Sequence, residues 1–334
     1  MFNSLPDGFL VDELMVFDGP DGGHVAKGFW FEVPDLHSAS NTACNQQQDA
    51  LSAILRQLPE GWSLQVRQFQ DSRCGQRLME YQQSTSGCDN PTSRLLRNAN
   101  FIREWERLEN GELRRKRVTL YAGHALGTPA GAPWSRRSAE EHYAKLLEEA
   151  RTSFAEWEHM LNETLRVIGG RAVAMTDCDQ ARVWADALNP SFGERVNYDP
   201  ASGYDLNDSL LQNTFHLELR GCGRQGFVLD GWHHLAFSLK RMPSETYPTI
   251  IHRLTNLSFG GVTISTHVRR LNKEKVLKDT QAALDRINQQ LARKDNARLQ
   301  AAKAQLEEKV RRLANGEVVP VEMDLTVIDR KSVV

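Results

Sequence analysis

The residues best placed to do chemistry are Asp230, His233 and His234, in the run GFVLDGWHHLAFSLK that begins at Gly226. Two imidazoles beside a carboxylate are the raw material of a metal site or a proton relay. Their apolar surroundings are those of a strand, however, and neighbouring strand residues point to opposite faces. The two rings therefore cannot grip one metal, and neither HExxH nor a Cys/His set at ligand spacing occurs. A second candidate is Cys222 as a nucleophile, with His216 or His234 as its base. No nucleophile elbow or cysteine-protease signature surrounds it, and an inert thiol is the favoured reading. Gly22-Gly23 stands near Lys27-Gly28 with the wrong glycine spacing for a phosphate loop, and no GxxxxGK[ST] is present. Gly221-Cys222-Gly223 reads as a turn between strands. No residue is assigned a catalytic role, and no metal or cofactor is expected.

Charge points the same way. Arg114-Arg115-Lys116-Arg117 could touch phosphates, but four charges directly before a strand read as a solvated edge. Arg269, Arg270, Lys273, Lys275 and Lys278 are offset by Glu274 and Asp279. A net charge of −2 on 334 residues gives no basis for a nucleic-acid or anionic-membrane binder, and no specific nucleic-acid site is evident. The five cysteines are scattered without a CxxC pair, which with no signal peptide points to a reducing compartment. No apolar run approaches the roughly 18 residues that span a bilayer. The expectation is a cytoplasmic chain whose membrane contact, if any, is peripheral.

These residues must be positioned by an alternation of strands and helices. Phe9–Val11, Leu14–Phe17 and Val25–Val33 read as strands, with an Asp/Gly/Pro turn between the last two. A helix follows over 45–58, then a strand from Trp62 to Phe69. Arg73 to Asn110 is helical with a break at Ser86-Gly87 and Asp89-Asn90-Pro91, and Val118–Tyr121 is a short strand. Ser138, with Glu141 in the capping-box position, opens a long helix whose apolar residues recur every three or four positions from Tyr143 to Ile168. Gly169-Gly170 ends it. Arg171–Met175 is expected as a strand, Asp177–Leu188 as a helix, Phe215–Leu219 as a strand, and 191–213 as mostly loop.

The stretch from Phe227 onward predicts a strand to Leu239, a helix over 244–257 capped by Ser244, and a strand over Val262–Val268. Beyond Asn272 the chain is charged and helical. One stripe runs Leu277, Leu284, Ile287, Leu291 and another Leu299, Leu306, Val310, Leu313, slipped by one residue across Lys294-Asp295-Asn296. A helical hairpin turning there is preferred to one long helix with a skip. Such a pair must pack on itself, on the sheet or on another chain. Val318 to Ile328 is extended again.

The first and last thirds share an order. Val25–Val33, helix 45–58 and Trp62–Phe69 parallel Phe227–Leu239, helix 244–257 and Val262–Val268. The expected fold is α+β: a mixed β-sheet with helices on one face, built from two strand-strand-helix-strand units. A long charged helical hairpin follows near the C-terminus. The expected bodies are a scaffold over 1–270, taken whole or as sub-units of about 1–125 and 126–270, the helices over 271–316, and a terminal strand over 317–334.

The same stretch carries a family likeness. Asp230-Gly231-Trp232, Leu239-Lys240, Pro243, Glu245-Thr246 and Leu271-Asn272-Lys273-Glu274-Lys275 stand in the order of a strand-to-helix segment, an apolar strand and a helix entry. This pattern resembles the amino-terminal domain of the large type IV secretion and conjugative-transfer ATPases. Asn315-Gly316-Glu317, Leu325-Thr326-Val327, Phe9–Phe17 and Leu58-Pro59-Glu60-Gly61 fit the likeness too. The resemblance implies a scaffold and docking role at the cytoplasmic face of the inner membrane. Its partners would be other subunits of the same ATPase, as a homo-oligomer, and inner-membrane secretion-channel proteins. The exposed parts of the 272–314 helices are the expected docking elements. Family members continue into a motor domain with a phosphate loop, for which this sequence has no counterpart, so no ATP hydrolysis is expected of this chain, whether it is a fragment or a stand-alone protein. The competing readings are a small hydrolase-type enzyme with a convergent Cys/His site and a freestanding coiled-coil adaptor.

Overall fold

A two-residue turn opens the described chain. β1 (Gly8–Val11) and β2 (Leu14–Phe17) are joined by Asp12 and Glu13, at φ 49° and 68°. Positive φ at both positions is what a tight hairpin turn needs to match the twist of its strands. Neither residue is glycine, so the turn is held from outside. Asp177 accepts the Glu13 N–H at 2.9 Å, and the Gln180 amide donates to the Glu13 carbonyl at 2.7 Å. The computed structural model describes residues 8–17, 23–34, 39–71, 74–110, 112–113, 115–126, 136–188, 198–199, 206, 217–218, 226–229, 231–240, 261–293 and 296–332.

A first unit follows from that hairpin: β3 (His24–Glu32), α1 (Asn41–Gln57), β4 (Ser63–Asp71), α2 (Gly75–Ser86), α3 (Pro91–Glu109) and β5 (Arg115–Ala125). Local chemistry sets the helix starts. The Ser40 hydroxyl accepts the Ala43 N–H, and the Asn90 side chain accepts the N–H groups of Thr92 and Ser93 ahead of Pro91. β5 then inserts between β3 and β4, antiparallel to both. The long helix α4 (Arg136–Arg166), starting slightly ahead of Ser138, leads to β6 (Arg171–Ala174) beside β3 and to α5 (Asp177–Leu188).

The second unit repeats the first. β7 (Leu217–Glu218), β8 (Phe227–Leu229) and β9 (Trp232–Ser238) are followed by β10 (Gly261–Arg270), α6 (Lys273–Arg293), α7 (Ala297–Ala314) and β11 (Val321–Ser332). β11 inserts between β10 and β9 just as β5 inserts between β4 and β3. The strand order, β1-β2-β3-β5-β4-β10-β11-β9-β8-β7, has the same architecture from either edge. The units meet where Ser63–Asp71 pairs with Gly261–Arg269, centred on Arg67 opposite Ser265. A two-fold axis through that pair carries the cross-strand row Val66, Leu120, Phe29 onto the row Ile264, Val327, Phe237.

The α+β class stands, with several corrections. Every pairing between described strands is antiparallel, where a mixed sheet was expected. The reason is the inserted third strand of each unit, which separates the two strands that run in the same direction. Phe227 to Leu239 is a hairpin rather than one strand, turning at Gly231 with φ 78°. The terminal strand is not a body of its own, because β11 pairs along its length with β10 and with β9. The hairpin of α6 and α7 forms as expected, and Leu284 and Leu313 are buried. The helix expected over 244–257, together with Pro243, Glu245 and Thr246, lies outside the described residues.

The helices α1 and α4 cover one face of the first unit. Phe154, Trp157, Leu161 and Leu165 of α4 pack with Phe29, Leu64, Leu120 and Ala122, and Trp62 lies 4.8 Å from the Phe154 ring. Each such fully buried apolar side chain contributes about 1.5–3 kcal/mol. Because side chains alternate along a strand, Met15 and Tyr121 face the other way and pack with Met175, Ala181 and Ala185. α5 therefore covers the opposite face, a departure from helices on one face alone.

Candidate functional site

The structure separates the residues that the sequence offered as chemistry. His234 is 3% exposed and stacks flat on Phe227, with ring centroids 4.9 Å apart. Its Nδ1 lies 2.9 Å from the Trp232 carbonyl oxygen and so carries the hydrogen. Burial lowers its pKa, with Arg330 and His233 adding to the effect against that hydrogen bond. His234 is a neutral packed ring, and His233 points away on the other face of β9. Asp230, His216 and Cys222 lie outside the described residues. Among the described residues, no group of three or more His, Cys, Asp or Glu could hold a metal.

Lys27, near the failed phosphate-loop spacing, is a tie between layers. Its ammonium meets Glu158 of α4 at 2.9 Å and Glu13 at 3.1 Å. Burial opposes its charge, yet the two carboxylates outweigh this and its pKa is raised. Gly28 beside it serves close packing, since a Cβ there would meet the Tyr121 ring at 2.8 Å.

One residue of the basic run, Arg117 in β5, is structural rather than solvated, while Lys116 is exposed. Arg117 lies over the Phe69 ring, 5.1 Å from its centroid, and donates to the Asp186 carboxylate at 3.1 Å. Arg330 of β11, 3% exposed, lies 4.4 Å from the same centroid and donates to the Asp186 carbonyl and to Thr263 Oγ1. Trp30, Arg67, Thr119 and Asp186 help enclose a cavity of about 20 Å³ there, room for about one water. This joint fastens α5 to both units. The sequence reading missed Arg330 and Asp186, because nothing local marks residues that meet only through the sheet.

What remains open to a partner is apolar surface on the helical hairpins and on the second unit. The outer side of α3 leaves Leu95 69%, Leu96 60% and Ile102 57% exposed, and Met79 of α2 is 45% exposed. α3 buries none of its residues. The α6–α7 hairpin instead keeps its seam buried or half-buried and leaves a shallow groove of about 530 Å³ between Leu277, Gln281 and Asp285 on one side and Val310 and Ala314 on the other. On the sheet, Phe237, Leu239 and Met323 are also exposed. The chain matches no protein-family model and no curated protein.

Proposed function

We propose that this chain is a docking scaffold, of the kind that the resembled amino-terminal domains of conjugation ATPases provide at the cytoplasmic face of the inner membrane. Its partners are then neighbouring ATPase subunits and inner-membrane channel proteins. The observation that carries the reading is the exposed Leu95, Leu96 and Ile102 on a hairpin that, among the described residues, packs chiefly within itself. Clustered aliphatic residues left in water mark an interaction surface. Support for α3 rather than the 272–314 helices as the apolar anchor comes from exposure, since the leucines of the latter are buried or half-buried. Among the described residues no helix is long and apolar enough to cross a membrane.

The test is co-purification with the inner-membrane channel proteins of a conjugation system, co-expressed with this chain. The double substitution Leu95→Glu with Ile102→Glu is expected to abolish capture while circular dichroism stays unchanged. Undiminished capture overturns the reading. So does robust ATP turnover by the purified chain.

A further inference from the structure

The joint beneath α5 holds a positive charge that the described chain does not answer. Trp30 of β3, Arg67 of β4, Arg117 and Thr119 of β5, and Val183 and Asp186 of α5 help line the cavity of about 20 Å³ there. Asp186 is the one carboxylate among these residues, and it already accepts from Arg117 at 3.1 Å. Arg67, half-buried, makes no hydrogen bond or ion pair among the described residues. Its cross-strand neighbours, Thr119 on β5 and Ser265 on β10, are neutral. Burial pushes the pKa of the Tyr121 phenol up to about 12, and the Arg67 charge pulls the other way. The guanidinium is therefore felt on the β5 side of its strand, where the cavity lies.

Thr119 supplies a second unanswered group. It is 5% exposed, and its hydroxyl has no hydrogen-bond partner. Withdrawing a hydroxyl and a cation from water costs free energy unless something beside them compensates. A guanidinium can only donate and a hydroxyl is free to donate, so the fitting occupant is an acceptor, and the charge of Arg67 favours a negative one. A cavity of about 20 Å³ holds a single atom-sized occupant. Carboxylates, phosphates and sulfates are too large for it. A water would accept the hydrogen bonds but leave the Arg67 charge uncompensated. Trp30 and Val183 contribute apolar walls, which strengthen charge–charge attraction inside. Asp186 opposes an anion, but its carboxylate is bound by Arg117, whose guanidinium lines the same cavity.

We propose that one chloride ion fills this cavity, held by the Arg67 guanidinium and the Thr119 hydroxyl, and so fastens α5 to β4 and β5. The site shares no residue with the docking surface on α3. The experiment is urea unfolding of the full chain at constant ionic strength, with chloride replaced stepwise by gluconate, an anion too large to enter. The wild-type midpoint is expected to rise with chloride. At a chloride concentration a hundred times its dissociation constant, the folded-to-unfolded ratio is expected to stand about a hundredfold above that in gluconate. Thr119→Val and Arg67→Met are each expected to lose most of that shift. In gluconate, Thr119→Val is expected to be about as stable as wild type, because its hydroxyl then has no ion to lose. Wild-type crystals soaked in sodium bromide are expected to show an anomalous-scattering peak inside the cavity, within hydrogen-bond reach of Arg67 and Thr119. That measurement needs no variant to fold.

Equal wild-type midpoints in chloride and gluconate overturn the proposal. So does a chloride shift that both variants keep in full, since it would then belong to the salt's general effect on the surface. A cavity that holds only water, with bromide found solely on the surface, also overturns it and leaves an adventitious ion only.

Discussion

The two units share a strand plan and differ in what covers it. In the first, the row Phe29, Leu120 and Val66 lies under α1 and α4, with Phe29 fully buried and its ring 5.9 Å from that of Trp157. In the second, the equivalent row Phe237, Val327 and Ile264 keeps Ile264 buried but leaves Phe237 54% exposed. The hairpins differ in the opposite sense: α6–α7 keeps its leucines buried or half-buried, while α2–α3 leaves Leu95 and Leu96 in water. A repeated backbone plan can thus serve as rigid core in one place and as open surface in another.

The largest expected effect tests the covered half. Trp157→Ala removes an aromatic ring packed against Phe29 and Trp62 and is expected to cost about 3–5 kcal/mol in urea unfolding. The matched probe, Phe237→Ala, is expected to cost under about 1 kcal/mol. Equal losses at the two sites would break the comparison.

Next is the joint between the units. Arg330→Met keeps much of the side chain's length but removes its hydrogen bonds to the Asp186 carbonyl and to Thr263 Oγ1. A loss of roughly 1–3 kcal/mol is expected, with one cooperative transition if the units unfold together. Two separated transitions in this variant would show that Arg330 couples them.

The smallest effect is a pH dependence drawn from both halves. His124 in β5 stacks on Trp62 at 4.7 Å, and burial lowers its pKa, as it lowers that of His234 in β9. Below the unfolded value of about 6.5 the unfolded chain takes up protons that the folded chain refuses. Stability is therefore full above that pH and falls as pH drops through the window toward the depressed folded values. His124→Phe is expected to flatten part of this acid slope in unfolding curves at pH 5–7, and an unchanged slope would exclude His124 as a source.

Much of this was legible in the chain. The recurrence of Phe154, Trp157, Leu161 and Leu165 at helical spacing marked α4, and the slipped leucine stripes around Lys294-Asp295-Asn296 marked the α6–α7 hairpin. The β8–β9 turn was missed, since Phe227 to Leu239 reads as one apolar strand although Asp230-Gly231 between apolar runs is a short-range hairpin signal. The α3 surface was only partly legible. Leu95, Leu96 and Ile102 have the spacing of a core-facing helix, and periodicity does not say whether a neighbour arrives to cover them. The joint of Phe69, Arg117, Asp186 and Arg330 was invisible, because its members come from four elements scattered along the chain.

By itself, the sequence determined the local order: which segments alternate, which repeat every three or four residues, and where caps and turns punctuate them. Those properties follow from the geometry of a few neighbouring residues. Only the tertiary structure decided that β5 and β11 insert between the strands of their units, that the units meet about an axis at Arg67 and Ser265, and that α4 shields one half of the sheet. Strand register and burial depend on which distant segments pair, and that choice is set by the packing of the whole chain.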